Sequence, residues 1–162
     1  MQILLFYSEP KRICYMLPNE ENDLLYLINI SEYIGKIWKY TEEANDEEEL
    51  YDLSAQMNLN ASLNLLANIG ENVSKISDKL KQSYSNIEWR KIIDFRNRII
   101  HDYVGIDLAI VYEVITIELV EIKNKIEKII KEKTQDGIFK IEEIKICQES
   151  NFYKNVEFGK IV

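Results

Sequence analysis

Proline and glycine are scarce in this chain, two and five among 162 residues. Proline breaks helices and central strands and glycine loosens both, so their scarcity favours long uninterrupted elements. Histidine is scarcer still: His101 is the only one. Cysteine occurs twice, as Cys14 and Cys147 near opposite ends. Without partner cysteines or a second histidine, the donors of a zinc centre are missing. The two are expected to be inert, reduced thiols. No window approaches the roughly 20 apolar residues of a membrane span. The opening Met1-Gln2-Ile3-Leu4-Leu5-Phe6-Tyr7 has no basic flank and meets Ser8-Glu9-Pro10 at once, which makes a poor secretion signal. A cytoplasmic location is expected. Glycine-rich phosphate loops, Ser/His/Asp nucleophile patterns and paired catalytic carboxylates are absent, and no cofactor or metal is assigned.

The chain is long enough to bury a core as one domain, and nearly half its residues are apolar. Its net charge of −8 argues against coating a nucleic acid through bulk positive charge. It leaves room for a small basic site: Arg90, Lys91, Arg96 and Arg98 lie within nine residues of one another, close to His101. The acidic runs Glu42-Glu43 and Asp46-Glu47-Glu48-Glu49 read as solvated helix starts.

The middle of the chain is patterned as helices. From Asp23 to Tyr40, Leu24, Leu27, Ile28, Ile34, Ile37 and Trp38 form a helical stripe. Asp46 followed by Glu49 resembles a capping box. From there to about Leu80 apolar residues keep a helical beat. Gly70 within it costs about 1 kcal/mol relative to alanine, which suggests close backbone packing at that point. Asn60, Asn64, Asn68 and Asn72 are four apart and share a face. That face is either solvated or a hydrogen-bonding wall against a partner or cleft, and the first reading is favoured. A third helix is expected to open near Ser85-Asn86 and to run through Ile92, Ile93, Phe95, Ile99 and Ile100, with Gly105 as its stop. Asp107 caps a fourth. In it Leu108, Tyr112, Ile115, Leu119, Ile122, Ile126 and Ile129 alternate steps of four and three, a seam suited to a bundle partner. Beyond these, Ile3–Tyr7 and Val156–Val162 have the look of short strands, and Ile138, Ile141 and Ile144 are spaced for a short helix.

Chemistry concentrates in Arg96-Asn97-Arg98-Ile99-Ile100-His101-Asp102-Tyr103. Histidine can exchange protons near neutral pH, and arginine grips a phosphate through two parallel hydrogen bonds. Together they suggest phosphate-ester chemistry. RNA cleavage without a metal needs a proton taken from the 2′-OH, a proton given to the leaving 5′-oxygen, and the phosphorane charge held. One chain has one imidazole and a symmetric pair has two. Arg96 and His101, five apart, lie roughly 140° from each other on an ideal helix. Either the helix ends or bends before His101, or a second copy completes the site. The blander alternative is a helix-end histidine, with arginines paired to local acids such as Asp94 and Asp102.

Arg96-x4-His101-x-Tyr103, opening with Arg96-Asn97, resembles the signature of HEPN-domain ribonucleases. Ile69-Gly70-Glu71 upstream, Trp89-Arg90-Lys91-Ile92-Ile93 leading in and Tyr103-Val104-Gly105-Ile106-Asp107 leading out are similar to the HepT toxin family. The likeness covers about Asp23 to Lys133. It implies an all-α, HEPN-type up-and-down bundle of four to five helices over residues 21–133. That bundle would be flanked by less regular tails at 1–20 and 134–162, which depart from the usual family core. It implies a homodimer with a composite cleft, acting on RNA as a metal-independent endoribonuclease toxin. It also implies a partner, an MntA-type minimal nucleotidyltransferase antitoxin that silences the toxin by attaching AMP to Tyr103. By position, Arg96 and His101 would be catalytic, Asn97 and Arg98 supporting, and Tyr103 the modification target. Another reading makes the chain a non-catalytic helical partner or substrate of such a nucleotidyltransferase, and a weaker one makes it a nucleotide-binding bundle.

Overall fold

A computed structural model describes residues 23–102 and 105–162. The expected strand at Ile3–Tyr7, the extension 1–20, Cys14 and Tyr103 lie outside the described residues. Among those described the fold is all-α, a helical bundle without strands.

Helix α1 (Asp23–Thr41) forms where the sequence stripe predicts it, and Leu24, Leu27, Ile28, Ile34 and Ile37 are buried. It is buried on more than one face, since Ile30, Ser31, Glu32 and Gly35 are also enclosed. Asp23 at its start accepts hydrogen bonds from the backbone N–H (2.8 Å) and the hydroxyl of Ser77, which ties this end of α1 to a residue 54 positions further along the chain.

The single beat expected from residue 46 to Leu80 is broken into three helices, α2 (Glu47–Asp52), α3 (Met57–Lys75) and α4 (Asp78–Ser83). Asp46 caps α2, accepting from the Glu49 N–H at 2.8 Å, while the Glu49 carboxylate reaches back to the Asn45 N–H at 2.8 Å. The capping box therefore forms one residue wider than the standard version. The chain then leaves the helical region at Ser54, Ala55 and Gln56, all with positive φ. Periodicity carries no signal for this break, because none of the three is glycine or proline. Ser77 caps α4 through the Leu80 N–H.

Helix α5 (Trp89–His101) begins two residues later than a cap at Asn86 would place it. Asn86 does not cap it; its carbonyl accepts from Lys125 instead (3.1 Å). The helix ends at His101, with the N–H of Asp102 donating to the Arg98 carbonyl at 2.9 Å as the cap, so it stops short of Gly105.

Asp107 caps α6 (Leu108–Glu113), which continues through a π-helical turn (Val114–Glu118) into α7 (Leu119–Gln135). A π turn loosens the backbone ladder. Here the Ile115 carbonyl accepts the indole N–H of Trp38 on α1 (3.1 Å). Ile115, Leu119, Ile126 and Ile129 of the predicted seam are buried, and α7 packs on α1. The seam is thus used inside the chain. Gly137, with φ of 71°, ends α7 in a left-handed cap.

Helix α8 (Ile141–Glu149) realises the short helix expected around Ile144. The last residues are helical rather than extended: α9 (Phe158–Ile161) replaces the strand expected at Val156–Val162. Val156, Phe158 and Ile161 are spaced by two and then three residues, and all are buried against the bundle. Burial follows a helical turn here, not alternation. The segment before α9 crosses α1. Glu32, fully buried, accepts from the N–H and side-chain amide of Asn155 at 2.7 and 2.8 Å, and Tyr153 donates to Asn29 at 2.8 Å. Gly35 makes room, for a Cβ there would lie 2.6 Å from that of Asn155. This explains the second buried face of α1.

Candidate functional site

The hairpin of α3 and α5 builds the site. The two helices lie close together at Gly70, where an added Cβ would sit 2.3 Å from Arg96 Cβ, 2.9 Å from its Cγ and 3.1 Å from the Ile92 carbonyl. The close packing expected from a glycine inside a helical stripe is therefore real, and the group it accommodates is the stem of Arg96. The next residue on α3, Glu71, accepts from one terminal guanidinium nitrogen of Arg96 at 2.9 Å. The other terminal nitrogen donates to the Asn97 side-chain oxygen at 2.9 Å. Each of these nitrogens carries two N–H groups, so each retains one beyond these bonds. Arg96 is about one-third exposed, with its Nε buried.

His101 is exposed at the last turn of the same helix. Because α5 runs unbroken through His101, the alternative in which the helix bends first to bring Arg96 and His101 together does not occur. Asn97 is brought to Arg96. Arg98 points elsewhere, exposed, two residues and roughly 200° further round the helix.

The rest of the basic cluster is locally compensated. Arg90 pairs with Asp94 (3.0 Å) and Lys91 with Glu88 (2.6 Å), a bond that raises the Lys91 pKa. The blander pairing expected for the arginines holds for Arg90, while Arg96 takes a partner 25 residues away.

The asparagine row divides. Asn72 is buried and accepts from Asn29 of α1 at 3.1 Å, whereas Asn60, Asn64 and Asn68 are less enclosed, with Asn68 donating to Asn64 at 3.1 Å. The solvated reading fits three positions, and the fourth is a core contact.

Glu71 is the residue that inspection of the basic motif misses. It stood in the sequence only as a flank. The available signal was its place directly after a glycine on a helix expected to pack closely. No group of three or more His, Cys, Asp or Glu side chains placed to hold a metal occurs among the described residues. Among them, too, no helix is long and apolar enough to cross a membrane.

Fold and site together define an all-α bundle protein that presents an arginine cradled by two helices and a histidine at the end of one of them. Residues 30–129 match the family described as "Ribonuclease HepT-like". The chain is similar to "Putative RNase MJ1216" of Methanocaldococcus jannaschii, 33% identical over 107 residues that span 66% of this chain and 86% of that protein. It is also similar to "Probable ribonuclease HepT" of Thermococcus cleftensis, 31% identical over 104 residues spanning 64% of this chain and 92% of that one. No solved structure matches it. The chain belongs to the HepT-like ribonuclease family.

Proposed function

We propose that this protein is a metal-independent endoribonuclease toxin whose cleavage site is composed by two copies of the chain. The observation that carries the reading is the cradle of Arg96, seated where α3 packs on α5, with N–H groups left over beyond its bonds to the described residues Glu71 and Asn97. Arg96 would hold the scissile phosphate and stabilise the charge that develops on it. His101 of one copy would take the 2′-OH proton as the O2′–P bond forms. His101 of the other would give a proton to the 5′-oxygen as the P–O5′ bond breaks, leaving a 2′,3′-cyclic phosphate and a 5′-hydroxyl. Two copies supply the second imidazole that one chain lacks. Pairing is further supported by large apolar side chains left exposed on α5 and along the α6–α7 rod: Ile100, Ile117 and Val120 are 49%, 63% and 44% exposed. Asn97 would steady the guanidinium and Arg98 would add charge for the RNA backbone.

The control partner in this reading is an MntA-type nucleotidyltransferase antitoxin that attaches AMP to Tyr103, two residues beyond His101 in sequence. Added phosphates would carry negative charge where the RNA backbone must lie, so repulsion and blockage act together.

The test is cleavage of RNA by the purified chain, produced with and without such a nucleotidyltransferase, followed by analysis of the product ends. Removing the proton-transfer group should cost about 10²–10⁴-fold. His101→Ala is expected to abolish cleavage with helicity and oligomeric mass unchanged. Undiminished cleavage by that variant would refute the assignment. A wild-type chain that accepts AMP yet never cleaves RNA would favour the non-catalytic partner instead.

A further inference from the structure

Arginine has a long, flexible stem, so a catalytic guanidinium must be aimed by its surroundings. Around Arg96 the described neighbours that accept its N–H groups are Asn97, on its own helix, and Glu71, on the neighbouring one. Asn97 is adjacent in sequence and moves with Arg96. Glu71 is the contact that fixes the guanidinium relative to a different helix.

The placement is tight. Gly70 lets the Cβ and Cγ of Arg96 lie on the α3 backbone, and the guanidinium emerges beside the following residue. Glu71 also pairs with Lys75 one turn on (3.2 Å), through its other oxygen. A single carboxylate thus holds two cations, and the trio keeps a net positive charge. The Glu71–Arg96 pair is 38% and 31% exposed, and an ion pair of that kind is worth little to stability. Set beside a phosphate it is also a liability, because the carboxylate repels the ligand. Stability and substrate attraction both fail to explain an acid here, whereas orientation does.

We infer that Glu71 is a positioning residue of the RNA-cleaving site, holding the Arg96 guanidinium so that its remaining N–H groups face the scissile phosphate. The inference rests on the reading of Arg96 as the phosphate-binding group. A misplacement of about 1 Å in a catalytic group can cost about 10²-fold in rate, and Glu71→Ala is expected to lose that much. Glu71→Gln, which keeps an acceptor oxygen for Arg96, is expected to lose less.

Two readouts go beyond rate. In Arg96→Ala, added guanidinium ion should restore part of the cleavage, since the cradle can seat the free cation. In the double variant Arg96→Ala/Glu71→Ala that rescue should vanish. The second readout needs no activity. The Nε–H of Arg96 is buried and suited to nitrogen relaxation by NMR, and it should be rigid in the wild type and mobile in Glu71→Ala and, to a smaller degree, Glu71→Gln. Equal rescue with and without Glu71, or an Arg96 side chain equally ordered in all three proteins, would overturn the inference. If Arg96→Ala instead cleaves like wild type, the reading of Arg96 as catalytic fails, and the relaxation result still decides whether Glu71 orders it.

Discussion

Gly70 and Arg96 are in contact in the strict sense: the arginine's Cβ occupies space that any side chain at residue 70 would claim, 2.3 Å from where its Cβ would be. The glycine is a spacing device for one catalytic candidate, and it links the packing of α3 on α5 to the chemistry proposed for α5.

Gly70→Ala should therefore be costly although alanine is the better helix former by about 1 kcal/mol. The methyl group meets the Arg96 stem and the Ile92 carbonyl, so the helices must part. Overpacking of this kind costs about 1–3 kcal/mol. Chemical denaturation is expected to show a net loss, accompanied by a fall in RNA cleavage as Arg96 shifts. An unchanged midpoint with full activity would contradict the close crossing.

Arg98 separates charge from catalysis. It is exposed and off the Arg96 face, so Arg98→Ala should leave stability within about 0.5 kcal/mol of wild type. If Arg98 neutralises an RNA phosphate, the slope of log affinity against log salt should become shallower by about 0.7 in the variant, the value for one phosphate of a single strand. A slope identical to wild type would remove Arg98 from the RNA surface.

The buried carboxylate of Glu32 anchors the carboxyl-terminal segment through Asn155 and also pairs with Lys36 at 3.3 Å. Glu32→Ala leaves the Asn155 N–H without its partner, at about 1–3 kcal/mol. Amide hydrogen exchange over residues 150–162 should accelerate selectively in this variant. Exchange that speeds up equally across α3 and α5 would mean that the segment is not a separate docked unit.

Alkaline pH tests the other end of the bundle. Burial, then the hydrogen bond to Glu132 at 2.9 Å and the charge of that carboxylate, push the Tyr84 phenol from 10.0 up to about 12. A folded pKa above the unfolded one means that the protonated phenol stabilises the fold. This contribution is complete below about pH 10 and is lost as pH rises through about 12. Tyr84→Phe should flatten the loss of stability over that window and leave the acid side unchanged. An identical alkaline decline would show that other groups cause it.

The local features of the chain were legible because they rest on local physics. The α1 stripe, the Asp46 and Asp107 caps and the short helix at Ile144 each depend on residues within a few positions. Boundaries were less legible. The three left-handed residues Ser54–Gln56 break a helical beat that no glycine or proline interrupts, and Ser85-Asn86 offers caps that α5 does not use. At the carboxyl end, Val156 to Val162 passes for a strand because its buried residues alternate briefly before the turn of α9. The Arg96–His101 spacing was plain in the sequence, as was the difficulty of bringing both to one phosphate from one straight helix.

The sequence alone determined that the middle of the chain, from about Asp23 to Lys133, would be helical, where an arginine and a solitary histidine would stand on one of those helices, and that a glycine marked a close approach. Helical periodicity and capping are set by neighbours three and four residues away, so they can be read along the chain. Tertiary structure alone decided that Glu71 would grip Arg96, that Glu32 would be buried under Asn155, and that the α6–α7 seam would turn inward toward Trp38 and α1. These are contacts across 25 to 123 residues. They depend on which faces the packed helices bring together, and a helix's own periodicity does not say which neighbour it will meet.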